Sequence, residues 1–153
     1  MRYLANILDS DSYMYATRKA FKRFYEAKRW ATRYFLDATD DGNNIGKLEW
    51  GWKEGEQIYR GTMEVDEDMW SVAEIIEVRG DGNYVVVWHH AFEGVDFKTL
   101  SNAVSYEKAK EVFDTARQNL VNCYGDDDID IKDGFCCIDT GNEWEVIEIV
   151  ELN

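Results

Sequence analysis

Apolar and polar residues alternate along most of this chain and switch to a helical period in two places, so the pattern predicts a protein of strands and two helices. Arg2–Leu8 and Tyr13–Phe24 read as strands joined by the polar turn Asp9-Ser10-Asp11-Ser12. From Tyr25 to Ala38 the period lengthens: Ala27, Trp30, Ala31, Tyr34 and Phe35 fall on one stripe of a helix. Leu48–Trp52 and Gln57–Val65 then predict a hairpin turned at Lys53-Glu54-Gly55-Glu56.

The second half repeats this order. Trp70–Val78 and Tyr84–Phe92 flank Gly80-Asp81-Gly82-Asn83, a hairpin signal. Ser105 is placed to cap a helix from Tyr106 to Cys123, with Tyr106, Ala109, Val112, Phe113, Ala116 and Leu120 on its apolar stripe. Gly134–Asp139 and Glu143–Leu152 close the half around Thr140-Gly141-Asn142. The chain is therefore expected to be α+β, with two strand-strand-helix-strand-strand units (residues 1–66 and 67–153) sharing one core, an antiparallel sheet and two helices packed on it. The acidic connector Val65-Asp66-Glu67-Asp68 marks the boundary. Glu93–Val104 reads as an insertion in the second unit, and insertions on a repeated scaffold often carry function. Tyr84–Phe92 is apolar on both faces, as expected of a central strand.

Charge changes the picture. The 153 residues carry −14, which alone would suggest disorder, but six Trp, nine Tyr and seven Phe belong to a chain that can bury a core. The charge is also segregated: residues 1–35 hold eight Lys/Arg against three acids, and residues 36–153 hold nine against twenty-eight. A field of that sign repels nucleic acid and anionic membrane and attracts basic protein surfaces or cations. No apolar run approaches a membrane span, and Tyr3–Leu8 is too short for a signal-peptide core. The three cysteines, two of them the adjacent Cys136 and Cys137, do not suit a disulfide framework. A cytoplasmic, reduced protein is expected.

Candidate chemistry is sparse. His89-His90 and Cys136-Cys137 are zinc-ligand types, but neighbours on a strand point to opposite faces and cannot converge on one ion. Asp37-x-Thr39-x-Asp41-Gly42-Asn43 matches the first half of a calcium loop, yet Asn44 and Leu48 stand where an aliphatic residue and a closing Glu belong. The cluster Asp126, Asp127, Asp128, Asp130 and Asp133 offers three readings: a solvated loop, a carboxylate site for a divalent ion, or a ladder of charge. In extended chain, Asp126, Asp128 and Asp130 would repeat every ~6.7 Å on one side, a row that can imitate phosphates spaced at roughly 3.4 Å. No metal, cofactor or catalytic residue is assigned.

Between Arg18 and Arg33, cations alternate with aromatics: Arg18, Lys19, Lys22, Arg23, Lys28, Arg29 and Arg33 among Phe21, Tyr25 and Trp30. That mixture can make a nucleic-acid platform. The favoured reading is that the strip complements acids of the same fold or of a second copy, which allows a homodimer, and direct nucleic-acid binding is not expected. Trp50 and Trp52 share one face of a strand, either as core or, if exposed within an acidic rim, as a protein hot spot.

These observations lead to an expectation of a non-enzymatic binding protein that occludes a basic, nucleic-acid-handling partner. Its contact residues would be Asp126, Asp127, Asp128, Asp130, Asp133, Asp66, Glu67, Asp68, Trp50 and Trp52. In charge and size alone the chain resembles the inhibitors of phages and mobile elements, such as anti-CRISPR and anti-restriction DNA mimics, and equally the immunity proteins that neutralise nuclease toxins. The alternatives are a divalent-metal enzyme built on Asp126–Asp133 and a nucleic-acid binder using Arg18–Arg33.

Overall fold

A computed structural model describes residues 1–10, 12–38, 48–52, 58–64, 70–91, 94–126, 129–141 and 143–153. Among the described residues the chain forms ten strands and two helices in two compact units, Met1–Val78 and Arg79–Asn153.

The first unit contains β1 (Arg2–Asp9), β2 (Ser12–Phe21), α1 (Phe24–Ala38), β3 (Leu48–Trp52), β4 (Ile58–Glu64) and β5 (Trp70–Val78). Its antiparallel sheet has the order β2-β1-β5-β4-β3. The second contains β6 (Tyr84–Ala91), β7 (Val95–Thr99), α2 (Tyr106–Tyr124), β8 (Ile129–Lys132), β9 (Phe135–Asp139) and β10 (Trp144–Glu151), in the order β7-β6-β10-β9-β8. Element for element the two topologies are the same: strand, strand, helix, strand, strand, strand, with the last strand at the sheet centre.

The α+β class with two helices and antiparallel sheet is as the pattern predicts, but the repeat is longer by one strand and begins elsewhere. The boundary falls after Val78 rather than after residue 66, because β5 pairs along its length with β1 on one side and β4 on the other. Asp9 reinforces that placement by accepting hydrogen bonds from the hydroxyls of Ser71 and Tyr34. The stretch 93–104, read as an insertion, holds β7, which is the second unit's counterpart of β2.

Gly80-Asp81-Gly82-Asn83 does not close a hairpin, since β5 and β6 lie in different sheets. Its glycines serve a close backbone approach. Gly82 N–H donates to Ala103 O at 3.1 Å, and Ala103 N–H donates to Arg79 O at 2.7 Å. A Cβ on Gly82 would stand 2.1 Å from the carbonyl carbon of Val104, and Gly80 adopts φ +102° with Ala103 O only 2.5 Å from a built Cβ. Only glycine fits there.

Each helix buries the centre of the stripe that its period predicts, while Trp30, Tyr34, Val112 and Ala116 on the flanks are half-buried and Tyr106, expected on the α2 stripe, is exposed at the first turn. Ala27, Ala31 and Phe35 of α1 pack on Ala5, Ile7, Ala73 and Ile75. Ala109, Phe113 and Leu120 of α2 pack on Val86, Cys136, Ile138 and Ile147. Full burial of a side chain such as Phe35 is worth roughly 1.5–3 kcal/mol. Ser105 caps α2, its Oγ accepting from Lys108 N–H at 3.3 Å, and Gly125 ends the helix at φ 80°. The opposite sheet faces are apolar and buried too, with Leu4, Leu8 and Ile76 in the first unit and Val85, Val87 and Phe97 in the second. Among the described residues no helix is long and apolar enough to cross a membrane.

Candidate binding surfaces

Strand alternation puts Trp50 and Trp52 on the α1 side of the first sheet, and pairing with β4 sets Tyr59 opposite Trp52 and Gly61 opposite Trp50. The missing side chain at Gly61 makes room for the Trp50 ring, whose carbons lie 2.7–2.8 Å from where a Cβ would be. Trp50 stacks on Tyr59 at 5.3 Å and 6°, with Phe35 6.0 Å away. Phe24, at the start of α1, stands edge-on to Tyr59 at 5.1 Å and stacks with Trp52 at 5.6 Å and 16°. The two tryptophans thus part company: Trp50 is built into the packed cluster, whereas Trp52 is 64% exposed.

Cations are threaded through this cluster. Lys28 Nζ donates to the Tyr59 hydroxyl at 3.1 Å and lies 5.0 Å from the Tyr59 ring centroid and 5.8 Å from that of Trp50. Arg23 Nη1 donates to the Tyr25 hydroxyl at 3.0 Å, Arg29 lies 5.7 Å over the Tyr25 ring, and Lys19 lies 5.6 Å over Phe21. Among the described residues these four cations contact aromatic groups, not the carboxylates that the charge pattern favoured as their partners.

Arg18 points the other way and belongs to a polar row crossing four strands. It pairs in register with Asn6, Asn6 with Glu74, and Glu74 with Arg60. Arg18 Nε donates to Asn6 Oδ1 at 2.9 Å, Asn6 Nδ2 donates to Glu74 O at 3.3 Å, and Arg60 Nη1 donates to Glu74 Oε1 at 3.1 Å. Asn6 and Glu74 are fully buried. Alternation hides this row in the sequence, because a single polar residue in an apolar strand carries no sign of its neighbours across the sheet.

In the second unit a titratable group forms around the β6–β10 pair. Glu145 Oε1 accepts from Trp88 Nε1–H at 3.1 Å. Hydrogen bonding toward the Glu145 carboxylate, then burial, then the charges of Glu145 and Glu143, push the Tyr124 phenol up to about 12. His90 Nε2 meets Glu143 Oε1 at 2.7 Å, and its ring lies parallel to Trp88 at 5.8 Å and 8°. His89 points to the other face, fully buried and 5.6 Å from Phe97. Cys136 and Cys137 are both buried free thiols and Cys123 is exposed. Among the described residues no three His, Cys, Asp or Glu side chains gather as a metal site would require.

The predicted acidic contact residues are spread over several places. Asp126 is exposed just beyond Gly125 and is not on a strand, so a ladder of extended chain does not start there. Asp130 lies on β8 opposite Cys137, and Asp133 is exposed in the turn between β8 and β9. Asp127, Asp128, Asp66, Glu67 and Asp68 lie outside the described residues, as does most of the calcium-like loop from Thr39 to Lys47. A cleft of about 330 Å³ separates α2 from the β8–β9 turn, lined by Lys110, Arg117 and Lys132 together with Asp114 and Asp133.

No protein-family model matches this chain, and neither the curated proteins nor the solved structures include a match.

Proposed function

We propose that this is a non-enzymatic binding protein whose second unit presents carboxylates to a basic, nucleic-acid-handling protein and occludes the surface that would otherwise hold phosphates. The observation that carries the reading is the uneven charge of the two units. Met1–Val78 holds eleven Lys/Arg against fifteen acids, whereas Arg79–Asn153 holds six against sixteen. Asp81, Asp114, Asp126, Asp133, Asp139 and Glu151 of the second unit are exposed. The last turn of α2 carries no basic residue, so the negative end of its dipole adds to Asp126 beside it.

Opposed charge of this kind accelerates encounter and fixes orientation, and its effect falls as salt rises. The mechanism is competition, of the type used by anti-CRISPR and anti-restriction inhibitors, and it needs no metal. The test is to replace Asp126, Asp127, Asp128 and Asp130 by Asn and to measure, in low salt, affinity for a basic protein captured by the wild-type chain from cells that carry it. Weakened binding supports the reading, and unchanged affinity removes that loop from the contact surface.

A further inference from the structure

We propose that the exposed indole of Trp52, with Phe24, Tyr25 and the cations Arg23, Lys28 and Arg29, forms a second binding surface, a stacking platform for single-stranded nucleic acid. The indole is already immobilised. Its ring is stacked on Phe24 at 16° and tilted against Tyr59 at 4.9 Å, yet 64% of the residue is exposed. A flat aromatic face held in place and open to solvent suits a ligand with a flat face of its own, and a nucleobase stacks on it without ordering a mobile side chain.

Tyr25 offers a second ring, 50% exposed, steadied by the Arg23 hydrogen bond to its hydroxyl and by Arg29 over its face. Residues 18–33 contain seven Lys/Arg and one acid, Glu26. Among the described residues the contacts of Arg23, Lys28 and Arg29 are to aromatic groups, an arrangement that leaves their positive charge beside the rings, where a phosphate could meet it. An aromatic surface interleaved with such cations is the arrangement that binds single strands with little sequence preference. A duplex is a poor fit, since its base faces are stacked inside the helix and out of reach of Trp52. The net charge of −14 opposes a polyanion at long range, but at physiological salt this repulsion is screened beyond about 8 Å, while stacking is not.

The experiment is fluorescence anisotropy of a labelled oligothymidylate of ~12 nucleotides at about 150 mM salt and in a salt series around it, with the full chain and three variants. The wild type binds. Trp52→Ala weakens binding on the order of 10-fold or more, Trp52→Phe recovers part of the loss, and both unfold cooperatively at a midpoint close to that of the wild type. Arg23→Gln with Arg29→Gln flattens the dependence of log affinity on log salt by about 1.4. Absence of binding, equal binding by Trp52→Ala, or equal affinity for a duplex overturns the proposal. So does Trp52-dependent capture of polyglutamate as tight as that of the oligonucleotide, which would assign the surface to an acidic protein. The variant in which Asp126, Asp127, Asp128 and Asp130 are replaced by Asn keeps the Trp52 dependence of this binding, so the result is read independently of the carboxylate reading.

Discussion

Trp52 lies flat against Phe24, their ring centroids 5.6 Å apart, while Trp50, two residues before it on the same strand, is stacked on Tyr59 within the packed cluster. The two indoles have equal chemistry and unequal surroundings, so their truncation has unequal effects. Trp50→Ala removes a ring packed between Phe35 and Tyr59 and is expected to cost about 3–5 kcal/mol. Trp52→Ala is expected to cost less than about 1 kcal/mol. Denaturant unfolding of both variants checks the contrast.

Gly82 has no room for a side chain. Gly82→Ala would set a methyl against the Val104 backbone at 2.1 Å and is expected to destabilise by roughly 3 kcal/mol or more. Gly51→Ala, where nothing lies within 4 Å, serves as the control and is expected to shift stability by less than about 1 kcal/mol. Thermal unfolding of the two variants reads the difference.

Tyr124 gives a prediction at alkaline pH. Its phenol is raised from 10.0 to about 12, so the folded chain holds this proton more tightly than the unfolded chain. The stabilisation is complete below pH 10 and is lost as pH rises through about 12. Tyr34, which donates to Asp9 at 2.6 Å, is shifted in the same direction, first by that hydrogen bond and then by burial. Tyrosinate absorbance should show Tyr124→Phe losing a phenol from the late part of the titration, and Glu145→Gln moving one earlier. A Tyr124→Phe curve that instead loses a phenol near 10 contradicts the assignment.

Arg60 and Lys108 separate buried from exposed ion pairs. Arg60→Met removes a hydrogen-bonding partner from the fully buried Glu74 and is expected to cost about 1.5–3 kcal/mol. Lys108→Met breaks an exposed pair with Glu111 on α2 and is expected to cost less than about 0.5 kcal/mol. Equilibrium unfolding in urea distinguishes the two.

What could be read from the sequence follows from which signals are local. The stripes Ala27-Ala31-Phe35 and Ala109-Phe113-Leu120 announce their helices because a helix buries one face every turn. The repeat itself was legible, but its starting point was not. Gly80-Asp81-Gly82-Asn83 has the composition of a hairpin turn, and only the approach of Ala103 and Val104 explains its glycines. Val95–Thr99 and Ile129–Lys132, five and four residues long, were too short and too polar to stand out as strands. The Arg18-Asn6-Glu74-Arg60 row and the Glu145–Tyr124–Trp88 group are set by sheet register and helix placement, neither of which is local. The exposure of Trp52 but not Trp50 is likewise decided by Phe24 and Gly61, remote in sequence.

The most direct test is affinity capture from cells that carry this protein, in low and in high salt, comparing the wild type with the variant in which Asp126, Asp127, Asp128 and Asp130 are replaced by Asn. The wild type is expected to retain a basic, nucleic-acid-handling protein in low salt, to release it as salt rises, and to hold it more tightly than the variant does. Equal retention by the two proteins, or a partner held without regard to salt, would contradict this reading.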